Sequence, residues 1–136
     1  MPNWCYNRVH ISGEAEDMRR LRDVSCRMVP QEPDGGEATE PLYVLDFNKM
    51  IPVEGPTASS QHEKWGTKWN LTTEDMDKWF DEDDSVELQF DTAWGPPHRI
   101  YRWMEDFITL HGLDISISWF YDEPGMQFAG YLNTEM

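Results

Sequence analysis

The chain has 136 residues, 26 acidic against 11 basic, for a formal charge of −15, with 39% hydrophobic and 13% aromatic residues. Such a length fits one domain spanning 1–136, and its seven tryptophans supply enough apolar area for a packed core, which argues against disorder. The acidity repels nucleic acid and anionic membranes at long range, and no run of about eighteen apolar residues offers a spanning helix.

The chain starts Met1-Pro2-Asn3-Trp4, with no basic stretch leading into an apolar one, so a cytoplasmic location is expected. Cys5 and Cys26 are then expected to be reduced and packed, Cys5 on a strand and Cys26 on a helix. From Trp4 to Ile11 the residues alternate as a strand does. Cys5, Asn7, Val9 and Ile11 share one face, and Trp4, Tyr6, Arg8 and His10 the other. Ser12-Gly13 offers a helix cap, and Ala15, Met18, Leu21, Val24 or Ser25, and Met28 follow at helical spacing until Pro30. Acids at the start of this helix and arginines after them suit its dipole.

Residues 31–41, with Pro33, Gly35 and Gly36, read as a solvated loop. An apolar segment at 42–52 follows, then a second polar loop at 53–64. Residues 67–73 suit a short strand, and Thr72 with Asp75 resembles a capping box opening a brief helix at 74–80. The four acids Asp81, Glu82, Asp83 and Asp84 read as a turn. Val86, Leu88, Phe90, Thr92 and Trp94 then alternate with polar residues as a strand, with Trp94 expected to pack against a helix.

Pro97 sits at the first turn of a helix over 98–111, whose apolar stripe is Ile100, Trp103, Met104, Phe107 and Leu110, stopped by Gly112. A strand over 114–121, a turn at 122–125 and a returning strand at 126–132 end the chain. The order strand, helix, strand, strand, helix, strand, strand predicts an α+β fold. Its expected form is a ferredoxin-like split β-α-β sandwich with an added C-terminal hairpin strand.

Five strings stand out in this order: MPNWCYNRVHISG at 1–13, DFNKMIP at 46–52, WGTKWN at 65–70, FDTAWGPP at 90–97 and YDEPGMQFAGY at 121–131. Together they resemble the YubB ferredoxin-like family of phage and plasmid proteins. The resemblance implies a ferredoxin-like fold without an iron–sulfur cluster, carried by mobile genetic elements. It implies no catalytic residues and no cofactor.

Trp65, Lys68, Trp69 and Asn70 form the most function-like group: two tryptophans four apart with a lysine between them can grip a partner or stack bases, or pack structurally. Base stacking is disfavoured because its groove needs positive charge. The stretch 74–84 holds seven acids and one lysine, so Asp75, Asp77, Asp81, Glu82, Asp83 and Asp84 flank the apolar anchors Trp79 and Phe80. This combination can imitate a nucleic-acid strand, or simply form a solvated loop. Asp91 is read as structural rather than as a general base or a metal ligand with Asp46 or Glu123. His10, His62, His98 and His111 lack metal-site spacing, and His98 and His111 bracket one helix. Ser12 and Cys5 are the only candidate nucleophiles, and neither has a base nearby in sequence.

The leading expectation is a non-catalytic, acidic anti-defence protein. It would inhibit a host nucleic-acid-handling or defence protein by occupying its basic surface as a nucleic-acid mimic, without binding nucleic acid or membrane itself. A nucleic-acid-binding accessory using exposed aromatics is the second reading, and a small enzyme the third.

Overall fold

The computed structural model describes residues 4–29, 42–54, 58–67, 70–71, 79–80 and 84–133. Strand β1, Trp4–Gly13, buries Cys5, Asn7, Val9 and Ile11 and turns the intervening residues outward, as the period of two predicts. Helix α1, Ala15–Ser25, starts at Glu14, whose carboxylate accepts the Asp17 N–H at 3.0 Å. It buries Met18 and Leu21 and stops earlier than its apolar spacing suggests. Cys26 is already extended, and strand β2, Cys26–Val29, pairs with strand β3, Leu42–Leu45. Met28 is exposed, so no packing holds it in a further helical turn, while the ladder to β3 gives alternate residues of the segment their backbone partners.

The apolar segment at 42–52 divides at Asp46. Its carboxylate accepts the N–H groups of Asn48 and Lys49 at 3.1 and 3.3 Å and opens a short helix α2, Phe47–Met50. Helix α3, Ala58–Trp65, occupies most of what reads as the polar loop at 53–64. Its main anchor, Trp65, is its last residue, which is why the preceding turns carry little apolar periodicity. Strand β4, Trp79–Phe80, pairs with β3, with Tyr43 opposite Trp79, and so replaces the end of the helix expected at 74–80. Most of that helix and most of the acidic turn lie outside the described residues. Thr67, Asn70 and Leu71, from the strand expected at 67–73, belong to no strand.

Strand β5, Ser85–Ala93, helix α4, His98–His111, strand β6, Ile115–Glu123, and strand β7, Phe128–Tyr131, complete the described chain. Helix α4 has the expected bounds and ends at Gly112 in the left-handed region, with φ 61°. Its buried stripe is Ile100, Tyr101, Met104 and Ile108; Trp103 and Phe107 are half-buried, and Leu110 is exposed. The helix is thus rotated from the expected stripe so that Tyr101 meets the edge of Trp119, ring centroids 6.0 Å apart.

The fold is α+β, with a four-stranded antiparallel sheet in the order β5-β1-β6-β7 and a three-stranded sheet in the order β2-β3-β4. Strands β5 and β6 both run antiparallel to β1, which lies between them. They are therefore parallel to each other, and α4 connects them as a split β-α-β unit. A second split unit would return the strand after α1 to this sheet; here β2 joins β3 instead. The helices cover one face of the main sheet, α4 packing with α1, α2 and α3.

Four of the five strings are joined by polar contacts near this helix-covered face. The Asn7 amide donates to the Thr92 hydroxyl at 2.9 Å and accepts from the Trp119 indole at 2.9 Å. Thr92 donates onward to the Gly95 carbonyl at 2.6 Å. Thr67 donates to the Ala93 carbonyl at 2.9 Å, tying WGTKWN to FDTAWGPP. Asn70 accepts the Phe47 N–H at 2.9 Å and donates to Asp46 at 2.9 Å, tying WGTKWN to DFNKMIP. Residues of these strings thus join the sheet, the turn before α4 and α2.

Candidate binding surface

Two of the tryptophans expected on a partner-binding surface are core residues. Trp65 is 1% exposed, donates its indole N–H to the Ile51 carbonyl at 2.8 Å, and meets the Phe47 ring edge-on at 5.8 Å. Trp79 is also 1% exposed, held in β4. Both expectations of surface exposure are corrected, for one reason: a tryptophan near a charged stretch gains more from burial than from solvent when its backbone enters an element that faces the core. Asp84 is exposed, and its carbonyl accepts the Gly13 N–H at 3.1 Å. Lys68, Trp69, Asp75, Asp77, Asp81, Glu82 and Asp83 lie outside the described residues.

Trp94 shows the opposite correction. It is 46% exposed and holds a positive φ of 75°, so it packs less than its place at the end of a strand suggests. The strand alternation is interrupted there: Ala93 is buried and Gly95-Pro96-Pro97 turns the chain into α4. His62 and His98, distant in sequence, come together beside it. The His62 ring lies 6.0 Å from Trp94, and a side chain at Gly66 would meet the His98 imidazole at 2.6 Å. Partial burial holds the His98 imidazole below the ordinary histidine range; the charges of Arg99 and His62 add to this, and the Pro96 carbonyl opposes it.

The residues weighed as reactive groups do not assemble. Asp91 projects from the open face of the main sheet, Glu123 is buried on the other, and Asp46 caps α2. Among the described residues, no three His, Cys, Asp or Glu side chains are grouped to hold a metal. Burial pushes the Cys5 thiol up to about 11, with the Glu123 and Asp122 charges adding to it and a Thr92 hydrogen bond working against it. Complete burial pushes the Cys26 thiol higher still. Both cysteines are free, and at neutral pH both remain thiols rather than nucleophilic thiolates.

The open face of the main sheet is where aromatic and charged side chains do gather. Register places Asp91 and Asp122 on either side of Tyr6, and Gln89 and Phe120 on either side of Arg8, with Tyr131 beyond Phe120. Trp4 lies two residues before Tyr6 and is 46% exposed. The Tyr6 hydroxyl donates to Gln89 at 2.9 Å, and the Phe120 and Tyr131 rings lie 5.5 Å apart. Arg8 pairs with Glu87, which holds the Glu87 carboxyl below its usual range through a hydrogen bond and charge. Arg8, Glu87, Phe120 and Tyr131, with His10 and Ser118, line a groove of about 390 Å³. Asp91 and Asp122 form no ion pair among the described residues.

The sequence carries the signal for this surface in the alternation of Trp4, Tyr6, Arg8 and His10. The aromatic strings, richer in tryptophan, draw attention away from it. No protein family, curated protein or solved structure matches the chain. Among the described residues no helix is long and apolar enough to cross a membrane.

Proposed function

We propose that this chain is a ferredoxin-like protein of the phage and plasmid family it resembles, acting in the host cytosol as a non-catalytic binding protein. It occupies a basic surface of a host nucleic-acid-handling or defence protein through the open face of its main sheet. The observation that carries this reading is the row Asp91–Tyr6–Asp122. Two carboxylates flanking one ring on adjacent strands, with no ion pair to offset them among the described residues, contribute nothing evident to folding. They suit a lysine or arginine from a partner, whose charge the carboxylates attract and whose cation the electron-rich ring face accepts. The net charge of −15 adds long-range steering toward such a surface.

A second reading, single-stranded nucleic acid stacked on Trp4, Tyr6 and Phe120, is favoured by the aromatics on the neighbouring central strands β1 and β6. Its weakness is electrostatic. Arg8, the arginine of this face, is already paired with Glu87, while Asp91 and Asp122 would meet the phosphates.

Titration with an arginine- and lysine-rich peptide, and separately with a thymidine oligonucleotide, tests the reading. The peptide should bind and weaken with salt, and the double change Asp91→Asn with Asp122→Asn should weaken it further. Oligonucleotide binding with no peptide binding would replace the leading reading by the second.

A further inference from the structure

The cations of the described residues divide into neutralised and unneutralised ones. Arg8, Arg19, Arg22 and Arg27 pair with Glu87, Glu16, Asp23 and Asp46. Lys49 donates to the Asp23 and Cys26 carbonyls at 2.6 and 2.7 Å. Lys64, Arg99 and Arg102 form no ion pair among the described residues, and they line one groove between α3 and α4. Arg20 also forms no ion pair among the described residues, but it stands on α1 and does not line this groove. Arg99 and Arg102 stand a turn apart on a single helix, and Glu63 and Asp106 share the groove without pairing with any of the three cations. The groove keeps a surplus of one positive charge in a chain of net charge −15, with three unpaired cationic donors open to an anion from outside.

The groove has a volume of about 330 Å³ and an apolar wall of Ile51 and Trp103. A hollow of about 170 Å³ shares Arg99 and Arg102 and is also lined by His98 and Asn133. Trp103 stacks on Phe107, centroids 5.7 Å apart and planes 12° from parallel. Phe107 follows Trp103 by one helical turn and Arg99 precedes it by one, and Trp103 lines the groove together with both arginines. Glu63 and Asp106 also line the groove. Their carboxylates oppose a long polyanion but accept hydrogen bonds from amino or hydroxyl groups.

We propose that this groove binds a nucleoside monophosphate. The phosphate is held by Arg99, Arg102 and Lys64, guanidinium and ammonium groups that match its oxygens. The base lies against the indole of Trp103, and Glu63 and Asp106 accept from the base amino group or the ribose hydroxyls. The volume is in the range of small-ligand sites, about 300–1,000 Å³. The groove lies in the helix layer, away from the open sheet face, so this inference does not rest on the binding function proposed above.

The test is a titration of the ¹⁵N-labelled protein with adenosine monophosphate, inorganic phosphate and adenosine in parallel, following the backbone amides and the Trp103 indole N–H. Adenosine monophosphate should saturate, shift the Trp103 indole signal, and bind about tenfold more tightly than either fragment, since each fragment keeps only part of the contacts. The variant Arg99→Gln with Arg102→Gln should lose about tenfold or more in affinity with an unchanged circular dichroism spectrum. Both side chains are exposed, so the fold does not depend on them; Lys64→Gln, expected to weaken binding in the same sense, provides an independent variant. The proposal is overturned if adenosine binds as tightly as its monophosphate, if the double variant keeps full affinity, or if no groove signal moves.

Discussion

On the covered face of the main sheet, the side-chain polar atoms of Asn7, Thr92 and Trp119 satisfy one another or a backbone carbonyl. On the open face, the same strands hold Asp91 and Asp122 beside Tyr6 with no ion pair among the described residues. The two faces are built from alternate residues of the same strands, so backbone pairing cannot explain the difference. Burial does. A polar group shut away from water must find a partner or cost stability, whereas a carboxylate at the surface is solvated and free to meet a ligand. Stability is therefore concentrated on one face and recognition on the other.

The largest test of that division is Trp119→Ala. It removes a fully buried ring that meets Phe90 and Tyr101 edge-on and leaves the Asn7 side-chain oxygen without its donor. A loss of about 3–5 kcal/mol in chemical denaturation is expected. Trp79→Ala, in the second sheet, should fall in the same range, about 3–5 kcal/mol, because its side chain is equally enclosed. A loss below about 1 kcal/mol at either position would place the core elsewhere.

Thr92→Val tests the polar chain without changing its shape. The hydroxyl accepts from Asn7 and donates to Gly95; without it the Asn7 amide keeps the Cys5 and Phe90 carbonyls while the Gly95 carbonyl loses this donor, and the change should cost about 1 kcal/mol. Trp94→Ala should cost about 1 kcal/mol or less, reversing the order that the sequence suggests for Trp94 and Trp79. Trp94→Gly should be no worse than Trp94→Ala, because glycine adopts a positive φ without strain. A glycine variant clearly less stable than the alanine variant would show that the backbone there is unstrained.

On the open face, Asp91→Asn with Asp122→Asn should leave stability within about 0.5 kcal/mol of the parent while weakening a basic partner. A large loss of stability would move these carboxylates into the folding machinery and end the division between the faces. The smallest effect concerns His98. Its imidazole holds a proton less readily in the folded chain than in the unfolded one. The unfolded state therefore binds more protons as the pH falls through the ordinary histidine range, about 6.5, and stability drops on acidification. His98→Gln should make that drop shallower in denaturation series between neutral and mildly acidic pH.

Where one short-range rule governed a segment, the structure was legible in advance. The alternation of β1 and β5 and the helix closed by Gly112 depend on periods of two and 3.6 and on a left-handed stop. The α+β class follows from them. Elements set by competition were harder to read. Residues 26–29 had helical spacing but found a strand partner, and the end of the helix expected at 74–80 pairs with β3. The same competition moves the candidate site: Trp65 and Trp79, which charged neighbours allow as surface anchors, are buried, while Asp122 and Phe120 join Tyr6 and Arg8 on one face only when β1 and β6 align.

The amino-acid sequence by itself determined which residues alternate, where α4 stops, and that the chain carries a large negative charge. Those properties depend on neighbours a few positions away or on a sum over residues. Tertiary structure alone decided that β2 pairs with β3 outside the main sheet, that Asp91 and Asp122 flank one ring, and that Lys64 shares a groove with Arg99 and Arg102. Each joins groups far apart in the chain. Their proximity depends on which backbone pairs and which apolar faces bury together, a choice made by the whole fold rather than by any local pattern.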